Sequence, residues 1–295
     1  MSKLAPLLLS FLLFLQLLLF PLLSAAQAPQ KVALVAAIGD RIDIVRQREQ
    51  VGSHIEPYAR RTLQVGSQAL NFAVLRGLDK AIGEDEPNST RVLLQWTMPE
   101  DVYARVSEAT GARRQDVVLQ ALNTHLQALP QRKDWDRIEV VIPAYTYAEM
   151  RGMGTKLSGI GVYVQPLRNQ NIEIGNIADT GINLSVSDAD GDYRTVNPRT
   201  GETAHSSVYV APYMYFERLT YDAKSLALLK RQRFFDNTKY ADPLSASLDV
   251  ANQMTPVELM GKLIESIERS AYKSVRQKTG EVKVTPPKPL DPASR

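Results

Sequence analysis

A glycine-rich segment around Lys156 contains the residue types that could bind phosphate. Its sequence, AYTYAEMRGMGTKLSGIGV over residues 144–162, has four glycines between Gly152 and Gly161. A phosphate-binding loop has the pattern G-x-x-x-x-G-K-[ST] between a strand and a helix, which lets backbone amides hold the anion. Lys156 lacks that glycine spacing, a strand-like segment follows it, and Leu157 stands where a dinucleotide fingerprint has its third glycine. We therefore interpret the segment as a turn or bulge between strands and predict no cofactor.

Alternating aspartates in the sequence SDADGDYR are typical of calcium ligands. The candidate ligands are Asp188, Asp190 and Asp192. An EF-hand loop has glycine at its sixth position and glutamate at its twelfth. Counted from Asp188, those positions hold Tyr193 and Arg199. We favour a solvated acidic turn, with an irregular calcium site as the alternative, and predict no other metal site.

The histidines and serines of the chain form no catalytic motif. The three histidines are His54, His125 and His205, and no two of them have the spacing of a zinc site. His125 falls on the same helical face as Val118 and Leu122, which indicates a hydrogen-bonded core histidine. The sequence has no G-x-S-x-G elbow. In the sequence IGDR, Arg41 occupies the place where some secreted esterases carry their nucleophilic serine.

The first 26 residues have the layout of a secretory signal peptide. Lys3 precedes a long apolar run that is interrupted by Pro21 and ends in the small residues Ser24-Ala-Ala26. This pattern predicts cleavage after Ala26 and a periplasmic protein. The apolar run is also long enough to span a bilayer, so an uncleaved inner-membrane anchor is the alternative, and the only case in which we expect membrane contact.

Composition narrows the classes of partner and compartment. The chain has no cysteine, so it forms no disulfide and has no thiol nucleophile, a pattern that suits the bacterial periplasm. Its formal net charge is +3, with basic and acidic residues interspersed. Nucleic-acid binding needs a basic stripe, so we predict no nucleic-acid partner. An envelope protein or a small molecule is the expected partner.

Apolar patterns in the first half of the chain predict strands and helices in mixed order. Val32–Ile38 is a continuous apolar run typical of a central strand. Gly39-Asp40 then indicates a turn, and the alternating Ile42 and Ile44 suggest a second strand that forms a hairpin with the first. Further strands are expected at Arg137–Tyr145 and over residues 159–167. Apolar residues at helical spacing predict helices over residues 67–82, from about residue 99, and over residues 113–129.

The second half of the chain is predicted to contain a long hairpin and a helix. The hairpin strands are Val208–Leu219 and Leu226–Phe234, and Pro212 indicates a bulge or an edge. Tyr209, Tyr213 and Tyr215 share one face of the first strand, where we expect them to pack in the core. Thr255-Pro-Val-Glu258 combines an N-cap threonine, a proline at the first helical position and a capping-box glutamate.

These elements predict an α/β fold of α+β-like character. It has a mixed sheet with a long C-terminal hairpin, packed by about four helices. We expect one such domain over residues 27–279. The proline-rich residues 280–295 have the composition of a disordered tail.

The order of these elements resembles a group of bacterial envelope proteins. The residues that carry the resemblance are VALVAAIGD at the mature start, YFERLTYDAKSLALLKRQ in the hairpin, and the amphipathic closing helix. The group includes the curli secretion lipoprotein and the amino-terminal domain of the Tol–Pal propeller protein. The resemblance implies a related architecture in the cell envelope. This chain lacks a lipidation cysteine and propeller repeats, so no functional residue is transferred to it.

Two functions are compatible with these features. The first is a non-catalytic periplasmic binding or envelope-assembly protein. Ligands of open α/β sheets gather beyond the carboxyl ends of strands, which makes the end of the Arg137–Tyr145 strand the expected site. The candidate binding residues are Tyr145, Arg151, Lys156 and Asp40. The alternative is a periplasmic hydrolase that assembles Asp40, Tyr145, His205 and the aspartates near residue 190 in one pocket.

If the glycine-rich segment is a connection that carries binding groups, its cations are not needed for folding. Arg151→Ala and Lys156→Ala are therefore expected to leave the melting temperature unchanged, because surface substitutions usually alter stability by less than about 0.5 kcal/mol. Thermal melts followed by circular dichroism check this expectation. A large loss of stability in either variant would make the segment structural.

Overall fold

The computed structural model describes six stretches of the chain. They are residues 29–48, 58–66, 68–145, 157–165, 194–247 and 249–276. The predicted signal segment and tail lie outside these ranges, as do Arg151, Lys156, Asp188, Asp190 and Asp192. Within the described ranges, no helix has the length and apolar character needed to cross a bilayer.

The described residues form ten strands and four α-helices. The strands are β1 (Lys31–Ala36), β2 (Arg41–Gln47), β3 (Tyr58–Gln64), β4 (Thr90–Gln95), β5 (Arg137–Pro143), β6 (Ile160–Gln165), β7 (Arg194–Val196), β8 (Thr203–His205), β9 (Tyr209–Asp222) and β10 (Leu228–Asn237). The α-helices are α1 (Ala69–Asp85), α2 (Glu100–Glu108), α3 (Ala112–Ala128) and α4 (Pro256–Arg276). Short 3-10 helices cover Pro130–Asp134 and Val250–Asn252.

Eight of these strands form one mixed sheet. Its order is β3-β2-β6-β9-β5-β1-β4, and β10 pairs with β9 as well. Strands β7 and β8 form a separate two-stranded sheet. This arrangement confirms the predicted fold class, a mixed α/β sheet with a long C-terminal hairpin and four helices in the described part of the chain.

The β9–β10 hairpin has the predicted position. Its antiparallel pairs run from Tyr213–Asn237 to Tyr221–Leu228. Pro212 lies one residue beyond the last of these pairs, where β10 ends, so its missing N–H interrupts no β9–β10 bond. The tyrosines at positions 209, 213 and 215 are fully buried, as expected of core residues.

The predicted hairpin between the first two strands is wrong. β1 pairs in parallel with β4 and β5, whereas β2 pairs in parallel with β6 and antiparallel with β3. Both β5 and β6 are antiparallel to β9, so β1 and β2 run in the same direction. Gly39, at φ +80°, therefore bends the chain between two successive strands and does not reverse it.

Alternating side chains of β1 pack into two cores on opposite faces of the sheet. Val32 and Leu34 contact the core formed with α1 and α4. Ala33 and Val35 contact the core formed with α2 and α3. A strand that is covered on both faces reads as a continuous apolar run, which explains why the sequence pattern identified it.

The capping box at the start of α4 is present as predicted. The Thr255 N–H donates to Glu258 Oε2 at 2.7 Å, and the Glu258 N–H donates to Thr255 Oγ1 at 3.2 Å. These hydrogen bonds from Thr255 lower the pKa of Glu258. The box fixes the first turn of α4, whose buried face then packs on α1 and the sheet.

Close packing of α1 against α4 depends on Gly77. A Cβ atom at this position would lie 2.2 Å from the backbone oxygen of Glu268 and 2.9 Å from Ala271 Cβ. We expect Gly77→Ala to lower the free energy of unfolding by about 1–3 kcal/mol, because overpacking against backbone outweighs the better helix propensity of alanine. Urea denaturation followed by circular dichroism measures the change.

Gly261 is the matched control, since it is exposed on α4 and an added Cβ there meets no atom within 4 Å. Gly261→Ala should raise the free energy of unfolding by about 0.5–1 kcal/mol through helix propensity alone. Equal effects of the two substitutions would show that the helices do not approach each other at Gly77.

Candidate functional site

Two strand interruptions lie side by side in the sheet and define the candidate site. The first separates β1 from β2, and the second separates β5 from β6. Tyr215 of β9 bridges the second interruption: its carbonyl accepts from the Ala144 N–H and its N–H donates to the Gly159 carbonyl, both at 2.8 Å. The Gly159 N–H also donates to the Ala144 carbonyl at 2.8 Å. The ladder along β9 therefore continues although the neighbouring strand is broken.

A buried glutamine satisfies the backbone where β5 leaves the sheet. Gln115 of α3 is 2% exposed. Its Nε2 donates to the Pro143 carbonyl at 3.1 Å, and its Oε1 accepts from the Tyr145 N–H at 2.9 Å. Buried backbone groups that lose a ladder partner need another one. Gln115 supplies that partner. Its bond to the Tyr145 N–H also fixes the backbone that carries the Tyr145 side chain.

A cavity of about 230 Å³ opens between the two interruptions. One side is formed by β2 and β3, through Asp43, Arg60 and Thr62. The opposite side is formed by α2 and the start of α3. Tyr145 and residues 158–160 complete the wall from the second interruption. The cavity thus lies at the end of the predicted Arg137–Tyr145 strand, and its role as a binding site stays a prediction.

Tyr103 of α2 connects the first interruption to the cavity. Its hydroxyl donates to Asp40 Oδ1 at 3.2 Å and accepts from the Asp40 N–H at 3.3 Å. A Cβ atom at Gly39 would lie 2.1 Å from the same hydroxyl oxygen, so the bend leaves room for the tyrosine only because residue 39 is glycine. Burial raises the pKa of Tyr103 to about 12. The phenol is therefore neutral at physiological pH.

Two of the cavity's arginines form ion pairs. Arg41 lies 4.0 Å from the centroid of the Tyr103 ring and donates to both carboxylate oxygens of Glu100, at 2.5 and 2.6 Å. Arg60 donates to Asp43 at 3.1 Å, and Asp43 also accepts from the Thr62 hydroxyl at 2.7 Å. Both arginines thus come from the β2 and β3 side of the cavity, and both are neutralised by carboxylates.

A third arginine, Arg114, lines the cavity and has no carboxylate partner in the described part of the chain. Its Nε donates to the Val106 carbonyl at 3.1 Å, and its guanidinium carbon lies 5.8 Å from the centroid of the Tyr145 ring. Burial is the main cause that raises the pKa of Tyr145. Neither the Tyr145 hydroxyl nor the terminal nitrogens of Arg114 bond to a described residue.

The predicted site residues are only partly brought together. Tyr145 lines the cavity and Asp40 lies behind it, hydrogen-bonded to Tyr103. His205 lies on the two-stranded sheet at the end of β8 and is not among the described residues of the cavity wall. His125 is half-buried and stacks on Trp96 with ring centroids 5.6 Å apart, and burial lowers its pKa. Its environment is therefore that of a packed residue.

Sequence reasoning missed Arg114, Tyr103 and Gln115. Gln115 carried a usable signal, because it stands on the same helical face as the buried Val118 and Leu122. A polar residue in an apolar stripe indicates a specific hydrogen-bond partner. Tyr103 and Arg114 carried none, since they reach the cavity only through the packing of α2 and α3 on the sheet. The described residues contain no cluster of histidine, aspartate and glutamate that could hold a metal ion.

Comparisons with known proteins identify neither a family nor a function for this chain. No protein-family model matches the chain, and no curated protein is similar to it. Among solved structures, it is similar to the crystal structure of a Xanthomonas campestris protein of the family model DUF330. The two share 8% identity over 85% of this chain and 86% of the other, with a TM-score of 0.32. That likeness carries no argument about function, and the resemblance to the curli and Tol–Pal proteins stays a prediction.

The hydroxyl of Tyr103 is expected to contribute to stability in a pH-dependent way. An unperturbed tyrosine has a pKa of about 10, and the pKa of Tyr103 is about 12 in the folded protein. Between these values the native state binds more protons than the unfolded state, so stability is lost as pH rises through this window. Tyr103→Phe should lose less stability than wild type over the same window. Urea denaturation at several alkaline pH values measures the difference.

At neutral pH the same substitution removes two hydrogen bonds to Asp40, and we expect it to cost about 1 kcal/mol. The other buried tyrosines are present in both wild type and variant. The difference between the two curves of stability against pH therefore reports on Tyr103 alone. Parallel stability curves for wild type and variant would contradict the assignment.

Proposed function

We propose that this protein is a non-catalytic periplasmic binding protein that holds a small ligand in the cavity between the two strand interruptions. The observation that carries the proposal is the composition of the cavity wall. Arg114 and Tyr145 present polar groups to the cavity that no described residue satisfies. Ligand sites are typically concave, with a few placed polar groups on an otherwise apolar wall.

The size of the cavity favours a compact ligand. Sites for drug-sized molecules usually have volumes of about 300–1,000 Å³, and this cavity has about 230 Å³. Most polar side chains of the wall already bond to protein groups: Arg41 to Glu100, Asp43 to Arg60 and Thr62, and Tyr103 to Asp40. We infer a molecule of metabolite size with one principal polar group.

The wall favours binding over hydrolysis. Its described residues include neither histidine nor cysteine, and its carboxylate Asp43 is bonded to Arg60 and Thr62. The tyrosine hydroxyls at positions 103 and 145 have raised pKa values, which makes them poor general bases at neutral pH. The hydrolase alternative needed His205 in the same pocket, and His205 lies on the two-stranded sheet.

Features of the sequence support the periplasmic location. The first 26 residues have the layout of a signal peptide, and the chain contains no cysteine. A binding protein in that compartment would meet small molecules that have crossed the outer membrane. Export also separates the protein from cytoplasmic nucleotides, in keeping with the failed phosphate-loop pattern.

Filling the cavity entrance should abolish binding without unfolding the protein. Ser107 lines the cavity but is exposed, and its hydroxyl bonds only to the Ala104 carbonyl among the described residues. We expect Ser107→Trp to remove the thermal stabilisation that compact carboxylates, phosphate esters or neutral sugars give to the wild-type protein. Scanning fluorimetry of such a panel, followed by calorimetry of the hits, measures this loss.

Ala104→Trp is the matched control, since Ala104 is exposed on the same helix and is not part of the cavity wall. This variant should bind like wild type. The proposal is wrong if Ser107→Trp binds every hit normally, or if the pure protein turns over a library of esters and phosphoesters.

A further inference from the structure

The charges of the cavity wall point to the chemical class of its ligand. Its described residues include three arginines and one carboxylate, Asp43. Arg60 pairs with Asp43, and Arg41 pairs with Glu100 outside the cavity. Among the described residues, one positive charge of the wall, that of Arg114, has no counter-charge. We propose that the ligand is a compact anion whose carboxylate or phosphate group binds Arg114, an inference that rests on the proposed binding function.

The geometry of Arg114 suits a bidentate contact. Its Nε is engaged by the Val106 carbonyl, and this hydrogen bond fixes the plane of the guanidinium at the start of α3. The two terminal nitrogens remain, with their N–H groups in the fork that matches a carboxylate or phosphate. Arg114 is half-buried, so its side chain has lost part of its hydration, and no described residue gives it an anionic partner. An anion in the cavity supplies that partner.

Two neutral donors on the same cavity wall complete the expected site. The Tyr145 hydroxyl bonds to no described residue, and its ring lies next to the Arg114 guanidinium. Ser158 also lines the cavity, with no hydrogen bond from its hydroxyl to a described residue. Both hydroxyls can donate to an anion without adding charge. The site would therefore recognise the anionic group through one cation and two hydroxyls.

Binding of matched anionic and neutral probes tests the inference. The probes are inorganic phosphate, succinate and the neutral succinamide, titrated by calorimetry into the full-length protein as purified. We expect at least one of the two anions to bind, with succinamide at least about tenfold weaker than succinate where succinate binds, because a charge-assisted hydrogen bond is lost. Phosphate binding without succinate binding would assign the site to phosphate groups, and the reverse result to carboxylates.

Substitution of Arg114 locates the contact. Arg114→Gln should weaken the bound anion at least about tenfold, since it removes the charge and the fork. Arg114→Lys should restore part of the affinity. Arg113→Gln is the matched control: Arg113 is the exposed neighbour on the same helix and is not part of the cavity wall. It should bind like wild type. Melting temperatures establish that each variant is folded.

Three results would overturn the inference. They are equal affinity for succinate and succinamide, unchanged anion binding in Arg114→Gln, and no binding of either anion. The binding function would survive each of them if neutral compounds from the wider panel bind wild type and fail to bind Ser107→Trp. Failure of every charged and neutral compound to bind would remove both proposals.

Discussion

The continuous strand β9 is the constraint on which the rest of the structure depends. It has 14 residues and pairs with β5 along its second half and with β6 along its first. Because Tyr215 bonds to both Ala144 and Gly159, the intervening chain can leave the sheet without ending it. On the other side of this broken strand, β1 pairs in parallel with β5, and β2 pairs in parallel with β6. The bend at Gly39 is thereby placed beside the interruption between β5 and β6, and the cavity opens where the two meet.

An interruption inside a sheet leaves backbone groups that must be satisfied in another way. Gln115 does so at the interruption between β5 and β6, through the Pro143 carbonyl and the Tyr145 N–H. Tyr103 does so at the other interruption, through the Asp40 N–H. Both side chains come from helices that pack on the same face of the sheet. The groups that satisfy the interrupted backbone are thus also groups that tie these two helices to the sheet.

Local patterns could be predicted from the sequence, whereas pairing between distant segments could not. The capping box at Thr255 and the β9–β10 hairpin depend on residues close in the chain. The supposed hairpin at Gly39 failed because a glycine with positive φ permits either a reversal or a bend, and only pairing with β5 and β6 decides between them. That Tyr145 lines the cavity could be predicted because it follows the end of a strand, whereas the same position of Arg114 could not.

The buried charges elsewhere in the protein show why Arg114 matters. Glu139 is 2% exposed and accepts from Arg218 at 3.0 Å and from Thr220 at 2.9 Å. Glu217 is fully buried and accepts from Arg231 and Arg233. Removing one member of such a pair leaves an uncompensated charge, which is strongly destabilising. Each of these two buried carboxylates is therefore neutralised by arginines of the chain itself. Arg114 differs from them, because no described carboxylate pairs with it and it lies on the wall of the cavity, which is why we place the proposed anion there.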